Sequence, residues 1–194
     1  MRRSRPLHDP RPARLPGRQN QHWHSDNPTH WAEFWNHRHF QDRVVHLWEA
    51  IAERYKDRPE VAGYNPVNEP ADASGTAIGP FYERLEHAVR AVDRRHVLFL
   101  DGNRYSTDFS IFGGPFPNTV YTAHDYALPG IAAGSTYPGV TRGEFFDRDA
   151  VERTFLRRTA FMRDTGTPRG SRRSCAPSCS PSRWSATSAG VSRA

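Results

Sequence analysis

This 194-residue sequence has no long apolar run, one lysine and two cysteines. No stretch reaches the ~20 apolar residues of a membrane-spanning helix, so the sequence predicts no membrane span and no membrane partner. The arginine-rich start is not followed by the apolar segment of a secretory signal, so no export signal is predicted and the cellular location stays open. The two cysteines, Cys175 and Cys179, lie in a Ser- and Pro-rich segment and form only a weak metal or disulfide motif.

The net charge of +6 comes from the two ends of the chain. Residues 1–20 contain six Arg and one Asp, and residues 165–194 contain five Arg and no acidic residue, whereas residues 21–164 are net acidic. A nucleic-acid-binding domain places its basic residues on the folded surface that contacts phosphates. The sequence therefore predicts no nucleic-acid partner.

The length allows one domain with a core of ordinary size. The hydrophobic fraction is 36% and the aromatic fraction 12%, which is enough for a packed core. The sequence predicts a domain over residues 15–168, an irregular basic tail over 1–14, and an irregular or disordered Arg-, Ser- and Pro-rich tail over 169–194.

Three segments show the three- and four-residue spacing of apolar side chains that is typical of amphipathic helices. The predicted helices span residues 40–56, 80–92 and 149–162. Pro80 suits the first position of the second helix, and Gly166 ends the third. The apolar face predicted for the first helix consists of Phe40, Val44, Leu47, Trp48, Ile51 and Tyr55.

Short apolar segments at residues 61–65, 97–100 and 119–123 predict buried parallel strands. Because they alternate with helices, the predicted fold class is α/β, a parallel sheet covered by helices. No strand is followed by a Gly-x-Gly-x-x-Gly or phosphate-binding loop, which argues against a dinucleotide-binding sheet. The alternation is compatible with a barrel or an open doubly wound sheet.

Polar residues follow each predicted strand, at the end where parallel strands of a barrel converge on one face. Asp101 and Asn103 equally fit a turn around Gly102. Glu69 also fits the start of a helix, where a carboxylate interacts with the helix dipole. The polar residues at the three strand ends are Asn68 and Glu69, Asp101 and Asn103, and His124 and Tyr126.

Four segments, in the correct order, resemble glycoside hydrolase family 5, the cellulase family. Residues 64–70 (Tyr-Asn-Pro-Val-Asn-Glu-Pro) resemble its strand-four signature, and His124-x-Tyr126 resembles its strand-six motif. Residues 15–20 and 23–28 are similar to the loop after its third strand. The resemblance covers about residues 15–168 and implies a (β/α)8 barrel, of which this chain would hold roughly strands four to six with their flanking helices.

The resemblance implies retaining hydrolysis of a β-glucan or related β-linked oligo- or polysaccharide, with no cofactor and two carboxyl groups about 5–5.5 Å apart. Glu69 would be the acid/base, with a raised pKa. Asn68 would hold a sugar hydroxyl, and His124 and Tyr126 would position the second carboxylate and the substrate. The residues expected to bind substrate are Gln19, Asn20, Trp23, His24, Asp26 and Asn103. The tryptophans considered as sugar-stacking platforms are Trp23, Trp31 and Trp35, of which the last two also fit ordinary packing.

The chain departs from the family at both ends. The family has Gly-Glu-Phe-Gly after a segment like Thr167-Pro168, and its Glu is the nucleophile, but no Asp or Glu follows Asp164 here. The single Lys56 among 27 basic residues indicates a G+C-rich gene, so both ends are expected to be frame-shifted. One codon choice for residues 8–14, read one base later, encodes the Asp-Leu-His that the family has there. Little hydrolysis by this chain alone is expected, and the alternative is an inactive remnant that at most binds carbohydrate.

A second alternative is a metal site. His22-x-His24-x-Asp26-Asn27 resembles the first half of the His-x-His-x-Asp-His loop of metallo-β-lactamase-like hydrolases. Asn27 replaces the final His, and no apolar strand leads into the loop, whereas a zinc site needs three or four ligands with supporting partners. The sequence therefore favours the absence of a metal.

Overall fold

A parallel four-stranded sheet organises the structure, a computed structural model that describes residues 14–22, 25–125, 136–141, 143–167 and 169–173. The helices are α1 (Arg38–Tyr55), α2 (Ile78–Val92), α3 (Asn103–Ser106), α4 (Arg148–Arg158) and α5 (Ala160–Asp164). The strands are β1 (Gly63–Tyr64), β2 (Val97–Asp101), β3 (Thr119–Asp125), β4 (Gly139–Thr141), β5 (Glu144–Phe146) and β6 (Arg169–Arg173).

The strand order β1-β2-β3-β6 confirms the predicted parallel sheet. Tyr64 is in register with Leu98, and Leu100 is in register with Tyr121, so the three predicted strands lie side by side. β4 and β5 form a separate antiparallel pair. Because all four strands of the main sheet run in one direction, their carboxyl ends meet along one edge.

The prediction of an irregular segment from residue 169 onward is wrong for Arg169–Arg173. These residues form β6, which pairs with β3 and brings Arg172 into register with His124. Strand pairing is made by backbone groups, and the sequence Arg-Gly-Ser-Arg-Arg carries no apolar pattern that would reveal it. Residues 1–13 and 174–194, which include both cysteines, lie outside the described residues.

The predicted helices over residues 40–56 and 80–92 are confirmed as α1 and α2, with shifted starts. α2 begins at Ile78, so Pro80 is its third residue. Leu47 was predicted on the buried face of α1, but it is 46% exposed. The third predicted helix is two helices, α4 and α5, interrupted at Thr159, and Gly166 follows them with φ +65°.

The core contains many aromatic side chains and supports the sheet beneath the polar edge. Phe34 lies perpendicular to Trp35 and Phe81, with ring centroids 4.7 and 5.1 Å apart, and Tyr121 lies edge-on to Phe161 at 4.9 Å. Edge-to-face pairs of this kind add stabilisation to that of buried area. Trp48 is fully buried, which confirms its predicted place in the core. Within the described ranges, no helix combines the length and apolar character needed to cross a membrane.

Candidate active site

Glu69 and His124 meet at the carboxyl ends of the strands. Glu69 follows β1 and His124 lies near the end of β3, and Glu69 Oε1 is 2.6 Å from His124 Nδ1. Both residues are buried, His124 with 1% exposure and Glu69 with 9%. The structure therefore joins residues 55 positions apart in the sequence, at the edge where the sequence predicted that they would lie.

The backbone of Glu69 is held in an uncommon conformation by two side chains. Its φ of 52° lies in the left-handed region, which costs a non-glycine residue roughly 1–2 kcal/mol. The Glu69 amide donates to Asp101 Oδ2 at 3.0 Å, and the Glu69 carbonyl accepts from Asn20 Nδ2 at 2.8 Å. Such strain persists only where the surroundings determine the conformation, and these two contacts hold the backbone from which the Glu69 side chain extends.

Asp101 completes a buried arrangement of two carboxylates around one imidazole. It is fully buried, and its Oδ2 lies 3.3 Å from His124 Nε2. Its Oδ1 accepts from Asn65 Nδ2 at 3.3 Å. A buried carboxylate requires such partners to offset its lost hydration. The sequence also allowed Asp101 to be only a turn residue, whereas it ends β2 and contacts both Glu69 and His124.

Gln19 and Asn20, which the sequence placed among the substrate-binding residues, are fully buried and bond to the backbone of the Asn68–Glu69 segment. Gln19 Nε2 donates to the Asn68 carbonyl at 3.2 Å. The Gln19 carbonyl accepts from the Ala71 amide and from the Trp35 indole, each at 2.9 Å. In this structure, Gln19 and Asn20 position the polypeptide that carries Glu69.

Asn103 also has structural contacts. Its Oδ1 accepts from the Asp72 amide at 2.9 Å, and its Nδ2 donates to the Asp72 carbonyl at 3.0 Å, so its side chain joins the end of β2 to the loop after Glu69. Asp26 is exposed and pairs with Arg14 at 2.6 Å. The remaining predicted site residues, Tyr126, Trp23 and His24, lie outside the described residues.

The two other tryptophans considered as platforms differ in exposure. Trp35 is buried in the core, as ordinary packing requires, whereas Trp31 is 68% exposed. Residues 33–36 form a turn, so Trp31 and Trp35 do not lie on one face of a helix.

Tyr105 is a site residue that the sequence analysis missed. Its amide donates to the Pro70 carbonyl at 3.0 Å, directly after Glu69. Burial, and then the charge of Glu69, raises the pKa of the Tyr105 phenol. The sequence signal for Tyr105 is only its position after a strand end, because it belongs to no motif.

Asp72 orders the loop between Glu69 and α2. Its Oδ2 accepts from the Ala77 and Ile78 amides at 2.8 and 3.3 Å, and its Oδ1 accepts from the Ser74 amide at 3.0 Å. A buried side chain therefore satisfies amides at the start of α2, which explains why the helix begins before Pro80.

Replacing Asp72 with Ala is expected to lower the free energy of unfolding by about 1–2 kcal/mol, because the first amides of α2 lose their acceptor. Chemical denaturation followed by circular dichroism measures the change. The control is Asp164→Ala, which removes an exposed carboxylate and is expected to change stability by less than about 0.5 kcal/mol. Equal effects of the two substitutions would contradict the capping role.

The proposed metal loop is only partly within the described residues. Within those residues, no three His, Cys, Asp or Glu side chains are grouped so as to hold a metal ion. The described part of the loop has other contacts: the His22 ring lies 4.7 Å from the Tyr105 ring, and Asp26 pairs with Arg14.

Comparison with known sequences gives a match to the family model of the cellulases (glycosyl hydrolase family 5) over residues 13–168. A β-xylosidase of Phanerodontia chrysosporium is 50% identical over 121 residues, which is 61% of this chain and 25% of that protein. An endoglycoceramidase of Hydra vulgaris is 30% identical over 76 residues, 32% of this chain and 15% of that protein. The aligned part of this chain thus spans a quarter or less of these relatives.

Several solved structures share the fold of this chain. A structure described as a glycoside hydrolase superposes with a TM-score of 0.65 at 18% identity, covering 84% of this chain and 54% of that one. Thermotoga maritima Cel5A in complex with mannotriose gives a TM-score of 0.56 at 20% identity, covering 71% and 49%. At these identities the similarity shows the fold alone. The chain folds as about half of a barrel of this type.

Proposed function

Because the chain belongs to glycosyl hydrolase family 5, we propose that it is the part of a retaining β-glycosidase that carries the acid/base, Glu69. The contact of 2.6 Å between Glu69 Oε1 and His124 Nδ1, at the strand ends, carries this proposal. In the first step, Glu69 donates a proton to the glycosidic oxygen as the bond to the anomeric carbon breaks. In the second step, it removes a proton from the attacking water.

The surroundings of Glu69 suit a group that must change its protonation state. Glu69 is buried, and its Oε1 lies 2.6 Å from the imidazole Nδ1 of His124, a ring nitrogen that can either donate to or accept from a carboxyl group. Because Asp101 contacts the other imidazole nitrogen, the ring is held in one orientation between two carboxylates. In the proposed mechanism, His124 supports Glu69 in each half of the reaction, and Asn68 binds the sugar hydroxyl next to the reacting carbon.

The second carboxylate of the mechanism has no candidate in the last thirty residues. Arg172 is the residue of β6 in register with His124, and no Asp or Glu follows Asp164. We therefore expect this chain to bind glycan but to hydrolyse very little without an added nucleophile.

The proposed substrate is a β-linked oligo- or polysaccharide. The names of the similar proteins refer to a xylosidase, an endoglycoceramidase and complexes with mannotriose and cellobiose, which differ in sugar and in aglycone. The proposal requires only the glycosidic oxygen that Glu69 protonates, and every β-linked sugar has one.

An external nucleophile tests the proposal. Azide is expected to attack the anomeric carbon of 4-methylumbelliferyl β-cellobioside while the bond to the methylumbelliferyl oxygen breaks and Glu69 protonates that oxygen. The products are 4-methylumbelliferone, measured by fluorescence, and cellobiosyl azide of inverted configuration, identified by NMR. The β-xylobioside is assayed in parallel.

The alternative, an inactive remnant that binds carbohydrate, predicts binding without azide-dependent release. Release that needs no azide but requires Glu69 would contradict the missing nucleophile. Release that is independent of Glu69 would overturn its assignment as the acid/base.

A further inference from the structure

Arg158, the last residue of α4, contacts the strand that carries His124. Its Nη1 donates to the His124 carbonyl at 3.0 Å, between residues 34 positions apart in the sequence. The Arg158 side chain is half-buried. A charged donor forms a stronger hydrogen bond than a neutral one, so this contact holds the His124 backbone more firmly than an ordinary hydrogen bond of the sheet.

β3 extends beyond β2 at the edge where the candidate active site lies. The last pair in register between these strands is Asp101 with Thr122, so β3 continues over residues 123–125 without β2 beside it. Only β6 pairs with this extension. His124 lies in it, where the backbone has a strand on one side, and the contact from α4 adds a further fixed point there.

Both ends of α4 are fixed, so Arg158 reaches His124 from a firm position. At the start of the helix, Asp147 Oδ1 accepts from the Ala150 amide at 2.8 Å. Directly after Arg158, Thr159 is fully buried, and its hydroxyl and its amide both donate to the Phe155 carbonyl, at 2.8 and 3.0 Å. The buried Thr159 thus determines where the Arg158 backbone lies.

The position of the His124 backbone determines the contact between its ring and Glu69. The ring nitrogens lie 2.6 Å from Glu69 Oε1 and 3.3 Å from Asp101 Oδ2, so the imidazole lies between two partners that leave it little freedom. Because a histidine ring is joined to the backbone by a short linkage, a shift of the backbone moves the ring away from Glu69.

We propose that Arg158 is a positioning residue for the glycosidase reaction. By holding the His124 carbonyl, it keeps the imidazole in contact with Glu69 while Glu69 transfers its proton. In this role Arg158 acts through His124 and not on the substrate. This inference rests on the proposed function, because only proton transfer by Glu69 makes the position of the imidazole matter to the rate.

The azide assay with two leaving groups tests this role. Arg158→Ala is expected to slow the release of 4-methylumbelliferone from the β-cellobioside by about 10–10²-fold, the order of loss that misplacement of a group remote from the chemistry can cause. A 2,4-dinitrophenyl β-cellobioside needs little protonation, so its cleavage is expected to change little. A general loss of structure would slow both substrates alike.

Three further variants separate the hydrogen bond from packing. Arg158→Met keeps the apolar stem without a donor and is expected to behave like Arg158→Ala, and it replaces that variant if the alanine chain does not fold. Arg158→Lys keeps a charged donor and is expected to recover most of the rate, because Nη1 alone reaches the His124 carbonyl. Arg157→Ala, at the exposed neighbouring position, is the matched control and is expected to leave both rates unchanged.

NMR of the histidine ring nitrogens gives a second measurement that does not depend on activity. The buried proton between Glu69 and His124 is expected to give a separate downfield signal, identified by its loss in His124→Gln. Arg158→Ala is expected to shift or broaden this signal, whereas Arg157→Ala is expected to leave it in place.

The outcomes distinguish a failure of this inference from a failure of the proposed function. If Glu69→Gln slows the methylumbelliferyl substrate while Arg158→Ala changes neither that rate nor the ring signal, the positioning role is wrong and the proposed function stands. Equal slowing of both substrates by Arg158→Met would also overturn the positioning role. If the parent chain gives no azide-dependent release, the proposed function is overturned, and the positioning role with it.

Discussion

With azide present, Glu69→Gln is expected to release 4-methylumbelliferone from the β-cellobioside about 10²–10⁴-fold more slowly than the parent chain, the usual contribution of a general acid. Glutamine keeps the size of the side chain and a carbonyl that can accept from His124, but it has no acidic proton to transfer to the leaving oxygen. The methylumbelliferyl oxygen would then leave as an anion. The initial rate of fluorescence increase at saturating azide measures the effect.

The leaving group distinguishes proton donation from a structural effect. A 2,4-dinitrophenyl β-cellobioside needs little protonation, because its oxygen leaves as a stable phenolate anion, so Glu69→Gln is expected to slow its cleavage far less. Glu83→Gln, an exposed position on α2, is the control and is expected to leave both rates unchanged. Equal slowing of both substrates would contradict the role of Glu69 as an acid.

Replacing Asp101 with Ala is expected to lower the free energy of unfolding by about 3–5 kcal/mol. This is the usual cost of removing one partner from a buried charge network. Asp101 is fully buried and accepts from the Glu69 amide and from Asn65. Removing it leaves these donors without their acceptor and takes a negative charge from beside His124. Urea denaturation followed by tryptophan fluorescence measures the loss.

A surface carboxylate provides the comparison for Asp101. The Asp57 side chain is 78% exposed and pairs with Arg95 at 2.7 Å, so Asp57→Ala is expected to cost at most about 1 kcal/mol. Asp101→Asn retains one carbonyl oxygen, so its free energy of unfolding is expected to lie between those of Asp101→Ala and Asp57→Ala. If Asp101→Ala were as stable as Asp57→Ala, the buried network would not hold the Glu69 segment in place.

Three strands and both long helices were predictable because each leaves a local pattern. The apolar stretch at residues 97–100 and the spacing in α1 reflect burial, which acts on neighbouring positions in a regular way. β6 was not predictable, since its pairing with β3 depends on backbone hydrogen bonds and not on its side chains. The exposure of Leu47 was likewise not predictable from the sequence. Its spacing places it on the apolar face of the helix, and the rest of the protein covers only part of that face.

In the candidate site, too, some features were predictable from the sequence and others were not. Glu69 and His124 were predictable from short motifs at strand ends, and the structure brings them together. The contacts of Asp101 were not, because its partners come from segments 32 and 23 residues away. Gln19 and Asn20 have residue types that bind sugars equally well, and only their complete burial assigns them to the backbone beside Glu69.

By itself, the sequence determined the α/β class, the family and the two residues at the centre of the site, because burial periodicity and short motifs are local properties of a chain. Only the tertiary structure decided how Glu69 is held, through Asp101 and Asn20, and that a strained turn presents Tyr105 beside it. Those arrangements require distant strands to be in register, and the energy of a buried polar contact depends on partners that sequence spacing does not specify.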